Sequence, residues 1–125
     1  MPLYNLACRN ALDHAAREKV AQAITKTHCD LTGAPPEFVN VVFLHGYPLD
    51  RGLELNVIGG VRKGGNRGPK QIEQLRRALE ASIAEAAGKT KQQVAVSLIG
   101  LPVGWVMEGG RVMPEPGAED EWLKR

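Results

Sequence analysis

Two short stretches decide the fold: FLHGYP at residues 43–48 and LIGLP at residues 98–102. Each closes an apolar run with a proline. A glycine lies 15 residues before that proline in the first stretch and 14 residues before it in the second. A repeat of this length indicates two copies of one supersecondary unit, neither of which buries its apolar faces alone.

The first copy is predicted to run strand (about 2–8), helix (about 13–31) and strand (38–45). Asp13 is suited to cap the start of the helix and Gly33 to end it. The strand over 38–45 is apolar on both faces, which is typical of an interior strand.

The second copy repeats this plan, with strands predicted over 53–58 and 94–99. Its helix begins at Gly68-Pro69, because proline suits the first turn of a helix, and ends at Gly88. Apolar residues recur at helical spacing between these ends: Ile72, Leu75, Leu79, Ile83 and Ala86.

The predicted fold is one α/β (α+β) domain over residues 1–125, with halves at about 2–48 and 53–102. The crossovers are long enough for parallel pairing within each half. We therefore expect a four-stranded sheet with both helices on one face. Since 43% of the residues are apolar and no third helix is expected, another subunit is the favoured cover for the opposite face.

The last segment, 103–125, is predicted to form a β-hairpin around Gly109-Gly110 and then an extended arm. The sequence PEPG at 114–117 is incompatible with a helix. The acidic residues 119–121 are expected to face solvent. The large apolar residues of the segment are expected to pack: Trp105, Met107 and Met113.

Composition excludes several classes of function. A net charge of +2 gives no nucleic-acid or membrane surface, and no stretch has the ~20 apolar residues of a membrane span. The N-terminus has no signal-peptide pattern, so a cytoplasmic location is expected. Cys8 and Cys29 fit no metal or redox spacing and are expected to be free thiols. We expect neither a metal nor a cofactor.

Pro2 follows the initiator methionine directly. If Met1 is removed, Pro2 becomes a secondary amine at the head of a strand. Burial or nearby cations would lower the pKa of this amine towards neutrality, where it can accept and donate a proton. The alternative is that a proline at position 2 has no function.

A cationic loop, GGVRKGGNRGP at residues 59–69, joins a strand to a helix start and carries Arg62, Lys63 and Arg67. Free backbone N–H groups at a helix start attract anions, and an arginine fork matches a carboxylate. The loop lacks the spacing of nucleotide-binding loops. It therefore predicts either a small-carboxylate site or a flexible, soluble loop.

Two further residues are candidates for chemistry. His28 shares the apolar helix face with Val20 and Ile24, so it is either a satisfied core residue or a ligand-binding group. Glu108 flanks the Gly-Gly turn opposite Arg111, and it either pairs with Arg111 or acts on a proton or a water molecule.

The chain resembles the tautomerase superfamily, and within it the cis-3-chloroacrylic acid dehalogenase group, over nearly its whole length. The matching features are Pro2, AxAITxxH at 21–28, LTG at 31–33, GGV at 59–61, Pro102, MExGR at 107–111 and PxPGxxxxW at 114–122. The resemblance implies a duplicated β-α-β fold, an amino-terminal proline that handles a proton, and a homotrimer.

The resemblance also implies roles for individual residues. Pro2 and Glu108 are the catalytic residues, while His28 and Arg67 hold a substrate carboxylate. Arg62 is the expected second arginine, although the loop is longer than in the family, and Lys63 is the alternative.

The chain departs from the family at Ser97, where the family has a tyrosine that activates water. Serine reaches less far and is a poorer acid. Three functions remain open: a proton-transferring tautomerase of a small 2-oxo or unsaturated acid, a hydratase or dehalogenase of 3-haloacrylates, and a binding protein without catalysis.

Overall fold

The computed structural model describes residues 2–124, so Met1, whose removal would free the Pro2 amine, lies outside the described residues. The elements, in chain order, are β1 (Leu3–Cys8), α1 (His14–Thr32), β2 (Asn40–His45), β3 (Leu55–Arg62), α2 (Pro69–Ala87), β4 (Val94–Leu101), β5 (Met107–Glu108), β6 (Arg111–Val112) and α3 (Glu119–Leu123). Short 3₁₀ turns precede β2, β4 and β5.

The main sheet has four strands in the order β2-β1-β3-β4. β1 and β2 are parallel, β3 and β4 are parallel, and the two halves meet where β1 runs antiparallel to β3. This arrangement confirms the predicted duplicated fold, in which each half is a β-α-β unit with a helical crossover.

Local chemistry sets the ends of both helices. The Asp13 carboxylate accepts a hydrogen bond of 2.8 Å from the backbone N–H of Ala16 and caps α1. Gly33 and Gly88 end the two helices in the left-handed conformation, with φ of 74° and 68°, which glycine adopts without steric cost. The predicted start and stop residues are confirmed.

The core lies between one face of the sheet and the two helices. Alternate residues of β1 and β3 point into it, as the period of a strand requires. Most of its members are aliphatic, and they include Leu6, Val20, Ile24, Leu55, Val57, Leu75, Leu79, Ile83, Val94 and Val96.

The prediction that residues 38–45 form an interior strand is wrong, because β2 is an edge strand of the sheet. Its second apolar face is not buried by the helices but belongs to a larger exposed apolar surface. Val42 and Leu44 are exposed on the side of the sheet away from the helices. Leu3, Ile58 and Ile99 are exposed on neighbouring strands, so an apolar surface, here called the open face, crosses the sheet.

The C-terminal segment forms the predicted hairpin, in which the backbone register sets Glu108 opposite Arg111 across the glycine turn. Met113 is buried as expected, whereas Trp105 and Met107 are 79% and 60% exposed in the single chain, so the expected packing of these two side chains is not found there. The expectation that residues 119–121 face solvent is wrong for Glu119. This residue is buried because it pairs with Arg62.

As judged over residues 2–124, none of the helices carries an apolar stretch that would span a bilayer.

Candidate active site

Pro2 lies at the head of a central strand. It is buried, and its carbonyl oxygen accepts a hydrogen bond of 3.1 Å from the backbone N–H of Asn40. The β1–β3 register pairs Leu3 with Gly60, so Pro2 comes beside Val61. Strand alternation places Pro2 on the same side of the sheet as Tyr4, about 7 Å further along β1.

His28 lies inside the molecule, on the face of α1 that contacts the sheet. It is fully buried, and its Nδ1 lies 2.7 Å from the hydroxyl oxygen of Tyr4. The two rings meet edge to face, with centroids 5.8 Å apart. Tyr4 therefore links the strand that begins at Pro2 to the helix that carries His28.

The cationic loop is folded back on itself at residues 64–67. The backbone N–H of Arg67 donates to the carbonyl of Gly64 at 2.9 Å, and Gly64 and Gly65 both have positive φ. The Asn66 side chain donates to the carbonyl of Thr32 at 2.8 Å, at the last residue of α1. This bond fixes the loop against the end of the helix that carries His28.

Two buried nitrogen atoms of this region have no hydrogen-bond partner within residues 2–124: His28 Nε2 and Arg67 Nε. Burial, together with the charges of Arg67 and Arg62, lowers the pKa of His28 from its ordinary value of 6.5 to about 3. Burial and the charge of Arg62 also lower the pKa of Arg67. Unpartnered buried polar groups are rare in proteins, and an anion would satisfy both nitrogens.

Arg62 is held by the C-terminal segment. Its guanidinium donates to the carbonyl of Pro114 and to the carboxylate of Glu119, the latter at 2.6 Å, and both side chains of the ion pair are buried. Burial tends to raise the pKa of Glu119, but backbone hydrogen bonds and Arg62 outweigh it and hold this pKa below its ordinary value. The carboxylate is therefore charged at neutral pH.

The remaining predicted residues lie elsewhere. The Lys63 side chain is exposed and crosses Gly100, where a Cβ atom would come within 2.7 Å of its Cγ. Glu108 lines a groove of about 490 Å³ with Leu3 and Val42, which belong to the open face. Ser97 is exposed in β4, where its register partner is Ile58.

The structure thus brings His28 and Arg67 together on the helix side of the sheet, which Pro2 also faces, and places Glu108 in a groove with residues of the open face. Sequence reasoning missed Tyr4, Asn66 and Glu119. Strand alternation from Pro2 would have placed Tyr4 on the core side, but no local pattern marks the partners of Asn66 or Glu119. Over the described residues, no cluster of histidine, cysteine, aspartate and glutamate has the arrangement of a metal site.

Solved structures resemble this chain over most of its length. Its similarity to N1, a member of the cis-3-chloroacrylic acid dehalogenase (cis-CaaD) family, is 27% identity with a TM-score of 0.86, covering 98% of this chain and 90% of that one. A fused 4-OT asymmetric trimer matches at 19% identity and TM-score 0.78, covering 98% and 99%. A macrophage migration inhibitory factor homologue from Prochlorococcus marinus matches at 16% identity and TM-score 0.70, covering 90% and 99%.

A comparison with protein-family models gives no match, and neither does a comparison with curated protein sequences. The structural comparisons confirm the resemblance to the tautomerase superfamily and to its cis-3-chloroacrylic acid dehalogenase group.

The Arg62–Glu119 pair predicts a large loss of stability on removal of its acid. Glu119→Ala leaves a buried guanidinium without its counter-charge, and we expect the free energy of unfolding to fall by about 3–5 kcal/mol in urea titrations. Glu121→Ala is the matched control, because this side chain is 81% exposed and its change is expected to stay within about 0.5 kcal/mol. Equal effects of the two substitutions would contradict the buried pair.

The lowered pKa of His28 predicts a loss of stability in mild acid. Below pH 6.5 the unfolded chain takes up a proton at this residue, while the folded chain stays neutral down to about pH 3. The wild type should therefore lose about 2 kcal/mol more of its unfolding free energy than His28→Asn between pH 7 and pH 5.

The control is His14→Asn, since the His14 side chain is 85% exposed. Urea titrations of the three proteins at both pH values measure the difference. A wild-type pH dependence that His28→Asn leaves unchanged would show that His28 is not the group responsible.

Proposed function

From the fold and residue pattern that this chain shares with the tautomerase superfamily, we propose that it is an enzyme that moves a proton on a small 2-oxo or unsaturated carboxylic acid. One observation carries the proposal. Two buried nitrogens, His28 Nε2 and Arg67 Nε, have no hydrogen-bond partner within residues 2–124. His28 is linked through Tyr4 to the strand that Pro2 precedes.

In this proposal the substrate carboxylate binds at Arg67 and His28. The guanidinium supplies the positive charge, and the neutral imidazole supplies a second polar contact in a site from which water is largely excluded. Electrostatic interactions strengthen in such a site. The same groups stabilise the negative charge that spreads over an enolate when the proton moves.

Pro2 is proposed as the group that carries the proton. After removal of Met1, its neutral amine takes the proton from the 2-hydroxyl group of the bound enol, and the resulting ammonium returns a proton to carbon, giving the 2-oxo acid. Burial of Pro2 favours the neutral amine at physiological pH. A retained Met1 would make this nitrogen an amide, which cannot act as the base.

The predicted contact between Arg62 and the substrate stays a prediction. Its guanidinium already binds Glu119 and the carbonyl of Pro114, so a substrate carboxylate would have to share it. In the proposed site Arg62 contributes its positive charge and holds the C-terminal segment in place through Pro114 and Glu119.

A second candidate function is hydration or dehalogenation of 3-haloacrylates. The similarity to a cis-CaaD family member and the position of Glu108 in a groove beside Leu3 favour it. Serine at position 97 disfavours it, because loss of a positioned acid–base partner for water costs about 10²–10⁴-fold in rate.

Replacement of the Pro2 secondary amine tests the main proposal. With phenylenolpyruvate as substrate, Pro2→Ala should lower kcat by about 10²–10⁴-fold, since it replaces a rigid secondary amine with a primary one of different position and basicity. Stopped-flow absorbance of the enol measures the rate, and intact-protein mass spectrometry must show that Met1 is absent from both proteins.

Pro48→Ala, in an exposed loop, is the control and should keep the wild-type rate. An unchanged rate in Pro2→Ala would exclude Pro2 as the proton carrier. Halide release from cis-3-chloroacrylate, without enol turnover, would favour the second candidate instead.

We further propose that the working form is a homotrimer. The open face leaves Ile58 44% exposed beside other aliphatic side chains, and a fused 4-OT of the same fold is a trimer. Such a face suits a subunit interface. The two unpaired cysteines suit a reducing compartment, and we propose a cytoplasmic location.

The assembly is tested by placing a charge on the open face. Ile58→Lys should convert the trimer into a monomer at micromolar concentration in sedimentation velocity, because burying the new ammonium at an interface is costly. Leu31→Lys, an exposed position at the end of α1, should leave the trimer intact. A monomeric wild type would contradict the proposal.

A further inference from the structure

The hydroxyl group of Tyr4 has no role in the mechanism above, although it contacts a residue of the proposed site. It lies 2.7 Å from His28 Nδ1, and both residues are fully buried. Burial raises the pKa of Tyr4 above its ordinary value, so the hydroxyl keeps its proton at neutral pH. It is therefore available as a hydrogen-bond donor.

The partner of this hydroxyl is a neutral imidazole, which has one N–H and one lone pair. The identity of the protonated nitrogen follows from the bond made by the other nitrogen. A phenol is the stronger acid and an imidazole nitrogen the stronger base, so the favoured bond runs from the Tyr4 hydroxyl to His28 Nδ1. The proton of His28 then lies on Nε2, the nitrogen without a partner in the described residues.

The strand next to β1 leaves space for the Tyr4 ring. The residue opposite Tyr4 across the β1–β3 ladder is Gly59. A Cβ atom at position 59 would come within 2.5 Å of Tyr4 Cε1 and 2.9 Å of Leu98 Cδ2. The φ angle of Gly59 is not positive, so space rather than backbone conformation explains the glycine.

We propose that Tyr4 is a positioning residue, which fixes His28 in the tautomer protonated at Nε2 and so makes it a neutral donor to the substrate carboxylate beside Arg67. The identity of the acceptor rests on the proposed function, but the tautomer does not. The opposite tautomer would direct a lone pair at the anion and repel it. Tyr4 therefore controls binding without touching the substrate.

Tyr4→Phe removes the hydroxyl and keeps the ring. In the substrate-free protein, two-bond ¹H–¹⁵N correlation spectra should show a single Nε2-protonated tautomer of His28 in the wild type and a mixture in the variant. With phenylenolpyruvate, KM should rise about 10-fold and kcat should fall by a smaller factor, because the weakened bond to the substrate carboxylate is made before the proton moves as well as during the transfer.

Tyr47→Phe is the matched control, because Tyr47 is 56% exposed, and it should match the wild type in both measurements. Gly59→Ala is an independent variant that keeps the hydroxyl but displaces the ring. It should also give a mixture of tautomers. Urea unfolding of each variant identifies the folded fraction, to which the spectra and the kinetics are then referred.

A single Nε2-protonated tautomer that persists in folded Tyr4→Phe would overturn the inference. So would a wild type protonated at Nδ1, or a KM unchanged in a variant whose tautomers are mixed. If the wild type turns over no 2-oxo acid, the proposed function fails, but the tautomer spectra still decide the role of Tyr4.

Discussion

The buried ion pair between Arg62 and Glu119 is the interaction on which the proposed site depends. It joins the end of β3 to the C-terminal segment at 2.6 Å, and Glu119 also accepts a hydrogen bond of 2.9 Å from the backbone N–H of Gly117. A buried charge is tolerated only when it is paired and hydrogen-bonded. Without Glu119, the buried Arg62 guanidinium would lose its counter-charge, and the end of β3 would lose its ion pair with the C-terminal segment.

A second set of contacts holds the same segment. The Arg111 guanidinium lies over the Trp122 ring at 4.1 Å and donates to the Trp122 carbonyl, while the indole N–H donates to the carbonyl of Val112. The segment then packs on the glycines of the cationic loop. A side chain at Gly65 would come within 2.6 Å of the Pro116 carbonyl oxygen. Gly64 and Gly65 therefore provide both the tight turn and the space into which the C-terminal segment packs.

The fold was predictable because its signals are local. Asp13, Gly33, Pro69 and Gly88 act within one turn of a helix, and strands follow from alternation. The partners of residues distant in sequence were not predictable. Glu119 has the same local pattern as its solvated acidic neighbours, and only the folded arm brings it to Arg62, 57 residues away.

The position of β2 in the sheet and the environment of His28 were also not predictable from local sequence patterns. A strand that is apolar on both faces fits an interior strand buried by helices, and it fits equally an edge strand whose outer face is covered by another molecule, so β2 was misplaced. The helical face of His28 was correctly identified, but the periodicity contains no information on Tyr4, which reaches it from a strand 24 residues earlier.

The two halves of the fold differ at the positions that form the proposed site. The helices of the two halves begin at His14 and Pro69 and are both 19 residues long, so His28 corresponds to Ile83. Val41 and Val96 are separated by 55 residues, as the helix starts at His14 and Pro69 are, so they correspond. Tyr4 pairs with Val41 and Val57 pairs with Val96, and therefore Tyr4 corresponds to Val57.

The second half thus has two buried aliphatic residues where the first has a hydrogen-bonded tyrosine and histidine. An aliphatic pair is satisfied by packing alone, whereas the polar pair leaves one buried nitrogen of His28 without a partner in the described residues. The cationic loop, conversely, belongs only to the second half, where Arg62 and Arg67 precede α2. The proposed site is therefore asymmetric although the scaffold is duplicated: the first half supplies neutral polar groups, the second supplies charge, and the antiparallel β1–β3 junction brings them together.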